Sequence, residues 1–66
     1  MNVHVNGKVM SLLADCSIST LIEQMDLMGK RVAVELNLDI VPKSEYLQTQ
    51  LKEDDIVEIV HAIGGG

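Results

Sequence analysis

The sequence predicts an α+β fold, in which one helix lies across one face of a mixed β-sheet. Polar and apolar residues alternate near the N-terminus, as they do in half-buried strands, and residues 32–36 and 56–63 are rich in the β-branched residues that strands favour. Between these stretches, four apolar residues recur with the period of a helix. A chain of 66 residues has room for one small domain, which we expect to span residues 1–63.

The first element is predicted to be a β-hairpin. Val3 and Val5 alternate with polar residues, and we expect both side chains to face the core. The dipeptide Asn6-Gly7 tolerates the positive φ angles that a type I′ turn requires, and a strand pattern resumes over residues 8–13.

The second element is predicted to be an α-helix over residues 18–28. Its apolar residues stand at i, i+3, i+4 and i+7 and so share one face: Ile18, Leu21, Ile22 and Met25. Ser17 is a favourable N-cap, because its side chain can accept a hydrogen bond from a free backbone N–H of the first turn. Gly29 is expected to end the helix, since glycine readily takes the left-handed conformation beyond a helix C-terminus.

The rest of the chain is predicted to add three strands and a single helical turn. Residues 32–36 and 40–41 read as two strands, and the helical turn follows Pro42, with Tyr46 and Leu47 covering one end of the core. Residues 56–63 form the most strand-like stretch of the chain. This order is that of the β-grasp, or ubiquitin-like, fold, with a sheet of four to five strands.

Composition and charge exclude several classes of function. The formal net charge is −5, and the five basic residues are scattered along the sequence, which argues against nucleic acid and against a basic membrane-surface helix. Apolar runs are too short for a membrane span. Cys16 is the only cysteine, so no intramolecular disulfide can form, and a reducing cytoplasm is the expected compartment.

Few side chains are suited to catalysis or metal binding. His4 and His61 are the only imidazoles and lack a third ligand at a suitable spacing, so we expect surface histidines and no metal site. Cys16 precedes a helix start but has no partner cysteine or positioned histidine, so it is expected to be a small, partly buried residue. The sequence therefore predicts a protein that is not an enzyme and binds no cofactor.

The last three residues are Gly64, Gly65 and Gly66. Glycine loses the most conformational entropy on ordering, so these residues are predicted to form a flexible tail outside the domain. One interpretation is a frayed end; the other is a narrow thread that carries the carboxyl group of Gly66 into the active site of another protein. In the second case, Gly64 and Gly65 would be inserted in the partner's active site, and another enzyme would activate the carboxyl group of Gly66 by joining it to AMP.

A partner that accepts such a tail would also contact the last strand. Ile56 and Val60 are predicted to share its outward face with Glu58, and we expect them, with Ile63, to form the partner surface. The alternative is that the helix or a loop covers these residues.

Four segments of the sequence resemble the ThiS family of sulfur carriers in thiamine biosynthesis. They are the hairpin at 5–8, the helix at 17–25, the motif Asn-x-x-Ile-Val-Pro-basic-x-x-aromatic within 32–46, and the Gly-Gly ending of 54–66. The resemblance implies a ThiF-like adenylyltransferase that uses ATP to adenylate Gly66. It also implies a sulfur donor such as a cysteine desulfurase, and a ThiG-like thiazole synthase that receives sulfur from the C-terminal thiocarboxylate.

Other functions remain open at this stage. A carrier of the same kind could supply sulfur for molybdopterin or for tRNA thiolation. A ubiquitin-like modifier would join Gly66 to a lysine of a target protein. A third possibility is a β-grasp interaction module in which the tail is inert.

Overall fold

The structure, a computed structural model, describes residues 1–61 as a five-stranded mixed sheet with one α-helix. In chain order the elements are β1 (Asn2–Val5), β2 (Lys8–Ser11), α1 (Ile18–Gln24), β3 (Val32–Leu36), β4 (Asp39–Val41), a 3₁₀ turn (Lys43–Glu45) and β5 (Ile56–His61). The predicted fold class and order of elements are confirmed, although β2 ends earlier than predicted.

The last strand of the chain lies at the centre of the sheet. The strand order is β2-β1-β5-β3-β4, and β5 pairs in parallel with β1 and antiparallel with β3. The two outer pairs, β1 with β2 and β3 with β4, are antiparallel hairpins. The β1 strand pairs only with Ile56 and Val57 at the start of β5, whereas β3 pairs with β5 as far as His61, near the point at which the chain leaves the sheet.

The core lies between α1 and one face of the sheet. Ile18 and Leu21 of the helix are fully buried, as are Val3, Val34 and Val57 of the strands. The inward orientation predicted for alternate residues of β1 and β5 is confirmed by their burial. Burying each such side chain contributes about 1.5–3 kcal/mol, which is a large term for so small a domain.

The helix ends at Gln24, a full turn earlier than predicted. Asp26 adopts the left-handed conformation with φ 60°, and the N–H of Leu27 donates to the carbonyl of Ile22 at 3.0 Å. This six-to-one hydrogen bond is the signature of a Schellman motif, with aspartate in the position usually held by glycine. Gly29, at φ 78°, lies in the turn that follows, so the prediction that it ends the helix is wrong.

The segment after β4 differs from the prediction at one residue. Tyr46 is half-buried and packs against the core, as expected. Leu47, in contrast, is 76% exposed, so the prediction that it covers the core is wrong. The segment is held instead by Leu51, which is buried, and by a bridge between Ser17 and Gln50.

The turn between β3 and β4 holds a leucine in an unfavourable conformation. Asn37 and Leu38 both have positive φ, at 51° and 76°, and the Leu38 side chain is 85% exposed. A left-handed conformation costs a non-glycine residue about 1–2 kcal/mol. Glycine avoids this cost, but its unfolded chain has more conformational entropy to lose on folding, which cancels part of the gain. We expect Leu38→Gly to raise the free energy of unfolding by about 0.5–1 kcal/mol in urea titrations. Leu38→Ala, which keeps the strain, should change it little; a glycine variant no more stable than the alanine variant would contradict this.

Candidate functional site

The face of the sheet that points away from α1 is uncovered over much of its area in residues 1–61, and we call it the open face. In β5 it carries Ile56, Glu58 and Val60, and the two apolar side chains are 51% and 56% exposed. The alternative, in which the helix or a loop covers Ile56 and Val60, does not hold among residues 1–61. The role of Ile56 and Val60 in binding a partner stays a prediction.

Neighbouring strands extend the apolar character of the open face. Val60 pairs with Ala33 of β3, and Ile40 of β4, which is 75% exposed, lies opposite Glu35. These side chains border a shallow depression of about 160 Å³ that also includes Glu58. Exposed apolar side chains gathered on one sheet face are a common feature of protein-binding surfaces.

Two glutamates oppose each other in the middle of this surface. Glu35 and Glu58 are direct cross-strand partners of β3 and β5, so both carboxylates project from the same face. Like charges in this arrangement destabilise a sheet. The pair is therefore better suited to receiving a cation from a partner than to stabilising the free protein.

Asn6 holds the second half of β5 in place. Its side-chain oxygen accepts from the N–H of Ile59 at 2.7 Å, and its amide donates to the Ile59 carbonyl at 3.1 Å. The parallel ladder between β1 and β5 reaches only Val57, so the Asn6 side chain extends the pairing beyond the end of β1. From the sequence, Asn6 is assigned only a role in the turn. A side-chain amide can also replace the backbone hydrogen bonds of a neighbouring strand, because it carries both a donor and an acceptor.

Asn37 does the same for the start of β5. Its side-chain oxygen accepts from the N–H of Ile56 at 2.9 Å, and its backbone N–H donates to the Ile56 carbonyl at 2.7 Å. Its amide group also donates to the Asp55 carboxylate at 3.1 Å. The first residues of two hairpin turns thus fix the central strand at two points, and sequence reasoning missed both contacts.

The residues predicted to enter a partner lie beyond the described part of the chain. Gly64, Gly65 and Gly66, and the partner-surface residue Ile63, fall after residue 61. The structure describes the strand that leads to them, up to His61, which pairs with Val32 of β3.

Cys16 is buried, at 3% exposure, and its thiol donates to the carbonyl of Ser17 at 3.4 Å. Burial and, to a smaller degree, the carboxylate of Asp15 raise the pKa of the Cys16 thiol. A thiol with a raised pKa is a poor nucleophile at neutral pH, because the thiolate is the reactive form. Cys16 is thus a core residue, more deeply buried than predicted.

The raised pKa of Cys16 also predicts how stability changes with pH. The folded protein keeps this proton to a higher pH than the unfolded chain, so stability is fully present below the ordinary thiol pKa of about 8.5 and falls as pH rises through the folded value. We expect urea unfolding to show this alkaline decline, and Cys16→Ala to reduce it. The decline should not vanish, because burial also raises the pKa of Tyr46. Equal declines in both proteins would contradict the assignment to Cys16.

The histidines do not form a metal site within residues 1–61. His4 and His61 pair with Ile56 and Val32, near opposite ends of β5. No group of three or more histidine, cysteine, aspartate or glutamate side chains in this part of the chain is placed to hold a metal ion. The same residues contain no helix with the length and apolar character needed to cross a membrane.

Comparisons with known proteins agree on one family. The model of the ThiS family matches residues 3–66. The chain is 37% identical over 65 residues to the sulfur carrier protein ThiS of Bacillus subtilis, covering 97% of this chain and 98% of that protein. It is also 39% identical over 66 residues to the thiazole synthase of Paramagnetospirillum magneticum. The whole chain takes part in that match but spans only 20% of the thiazole synthase.

Solved structures agree with this similarity. The crystal structure of the thiamine biosynthesis protein ThiS from Geobacter metallireducens matches with a TM-score of 0.86 and 29% identity, and each chain is covered completely. A solution structure of a thiamine biosynthesis protein from the same organism matches with a TM-score of 0.79, covering all of this chain and 88% of that one.

Proposed function

Because this chain belongs to the ThiS family, whose model matches residues 3–66, we propose that it is a sulfur carrier protein of thiamine biosynthesis. The similarity to a sulfur carrier over nearly the full length of both proteins is the observation that carries the proposal. The carrier acts as a co-substrate for other enzymes and performs no catalysis itself. The similarity of the whole chain to a region of thiazole synthases supports thiazole synthase as the acceptor of sulfur.

The chemistry proposed for the carrier takes place at the carboxyl group of Gly66. A carboxylate is a poor acyl donor, because its charge repels nucleophiles and oxide is a poor leaving group. A ThiF-like adenylyltransferase corrects both faults when the Gly66 carboxylate attacks the α-phosphate of ATP, which forms the acyl-adenylate and releases pyrophosphate. The persulfide of a donor such as a cysteine desulfurase then attacks the acyl carbon and displaces AMP, which gives an acyl disulfide. A thiol reduces this disulfide: the thiocarboxylate leaves, and the donor sulfur and the thiol sulfur form a new disulfide.

The fold supports this role by fixing the strand that leads to the tail. β5 is central in the sheet and is hydrogen-bonded by Asn6 and Asn37 as well as by its two neighbouring strands. The open face, with Ile56 and Val60, lies on the same strand as the approach to Gly64 and Gly65. We propose that the adenylyltransferase and the thiazole synthase dock on this face while they receive the tail.

Co-expression with an adenylyltransferase, followed by intact-mass measurement, tests this function. A carrier will show replacement of one terminal oxygen by sulfur when the sulfur donor is also present. Addition of purified thiazole synthase and its other substrates should restore the original mass. Adducts of the protein on lysines of other proteins would instead identify a modifier, and an unchanged mass under active conditions would contradict both functions.

The opposed glutamates give a prediction that separates binding from stability. Glu58→Gln removes the repulsion with Glu35, so the free energy of unfolding should rise by about 0.2–1 kcal/mol. The same change should slow association with the adenylyltransferase if its cleft presents a cation to the pair. Stopped-flow association rates and urea unfolding measure the two effects. Glu53→Gln, in an exposed turn on the N-terminal side of β5, is the control of equal charge; equal slowing by both variants would contradict a specific role of Glu58.

A further inference from the structure

A second surface depression lies beside the helix, on the other side of the sheet from Glu58. It has a volume of about 520 Å³ and lies between the segment that follows α1 and the segment that follows β4. We call it the basic groove and define it by Lys30, Arg31 and Lys43 together with the apolar residues Met28, Tyr46 and Leu47.

The groove concentrates positive charge in an acidic protein. The chain has five lysine and arginine residues against ten carboxylates, yet three of the five cations line this depression. Within residues 1–61, none of the carboxylates lines it. The remaining cations, Lys8 and Lys52, do not line the groove, so the segregation of charge is local.

Apolar side chains at the groove are left in water. Met28 is 59% exposed and Leu47 is 76% exposed, while the half-buried Tyr46 joins the groove to the core. Leu47 was predicted to cover the core, but Leu51 is buried in this segment instead, and the Leu47 side chain is left beside the cations. Exposed apolar groups next to a cluster of like charges are typical of surfaces that bind a partner of opposite charge.

The groove and the open face can be occupied at the same time. Ile22 and Ser19 of α1 line the groove, which places it on the helix side of the sheet. Its Arg31 edge adjoins the end of β5, because the next residue, Val32, pairs with His61. A protein that reaches the groove therefore comes close to the end of the last strand without displacing a partner bound at Glu58.

We propose that the basic groove binds an acidic segment of a partner protein. Carboxylates of the segment would pair with Lys30 and Lys43, and an apolar side chain would lie between Met28 and Leu47. A second copy of this chain is a poorer occupant, since two molecules of net charge −5 repel each other. The proposal does not depend on sulfur transfer, because it needs no chemistry at Gly66.

Amide chemical shifts during titration with a synthetic peptide test the proposal. The probe is the blocked hexapeptide Asp-Glu-Leu-Phe-Glu-Asp, and a peptide with lysine at its four acidic positions serves as its control. We expect saturable shifts at groove residues for the acidic peptide only. The double variant Lys30→Glu, Lys43→Glu should bind about tenfold more weakly, since two favourable ion pairs become repulsions. The matched variant Lys8→Glu, Lys52→Glu has the same net charge and should bind within about twofold of the unaltered protein.

Four results would overturn the proposal. One is the lack of shifts in the groove with the acidic peptide, and another is equal weakening by the two double variants. Equal saturation of the groove by inorganic phosphate at the same concentration would indicate a simple anion site. Concentration-dependent shifts of groove amides without peptide, together with a dimer in sedimentation, would identify a second copy as the occupant. The intact-mass measurement distinguishes these failures from failure of the proposed function, because the unaltered protein would still gain sulfur at Gly66.

Discussion

Deleting Gly66 is expected to abolish adenylation while leaving the stability of the domain unchanged. The adenylyltransferase must bring the terminal carboxylate into line with the α-phosphate of ATP. Removing one residue shortens the reach of the chain by about 3.5 Å, and a misplacement of about 1 Å can cost a factor of 100 in rate. ATP–pyrophosphate exchange should therefore fall by at least about 100-fold.

Two comparisons make the deletion informative. The variant Gly66→Ala keeps the length of the tail and its terminal carboxylate. It therefore tests whether the partner's active site has room for a methyl group, separately from whether the tail is long enough to reach the ATP. Urea unfolding of the shortened protein should match that of the full chain, because the deleted residue has no side chain to bury. Adenylation of the shortened protein at the normal rate would refute the proposed role of Gly66, whatever its stability.

The parts of the fold that depend on local patterns follow well from the sequence. Asn6-Gly7 has positive φ at both residues, as the type I′ turn requires, and Ser17 caps α1 by accepting from the N–H of Thr20 at 3.1 Å. The alternation in β5 correctly separates buried Val57 from exposed Ile56. These features are set by residues close together in the chain, so one sequence suffices to predict them.

Features that depend on distant contacts could not be predicted in this way. The early end of the helix is an exception, because its hydrogen bonds are local; it was missed because the left-handed conformation was assigned to Gly29 and not to Asp26. The contacts of Asn6 and Asn37 join residues far apart in sequence. Lys30 and Lys43 meet at one groove only because α1 and the segment after β4 pack at the same end of the sheet.

Replacing Asn6 is expected to weaken both the domain and the delivery of its tail. Asn6→Gly keeps the positive φ of 51° but removes both side-chain hydrogen bonds to Ile59. Each bond contributes about 1 kcal/mol, and the groups left without a partner add to the loss, so we expect a decrease of about 2–3 kcal/mol in the free energy of unfolding. That is a large fraction of the total for a small domain.

The matched variant Asn37→Gly shows whether Asn6 acts on the far end of β5 in particular. It also removes side-chain hydrogen bonds from a turn with positive φ, but its contact is Ile56 at the start of the strand. Amide hydrogen exchange should therefore accelerate most at Ile59 and His61 in Asn6→Gly, and nearer Ile56 in Asn37→Gly. Because the tail continues from the far end, adenylation of Gly66 should slow more in Asn6→Gly than in Asn37→Gly under conditions in which both proteins are folded. Equal exchange profiles and equal adenylation rates would show that Asn6 contributes only to overall stability, whereas the predicted difference would make it a positioning residue for the carrier's reactive end.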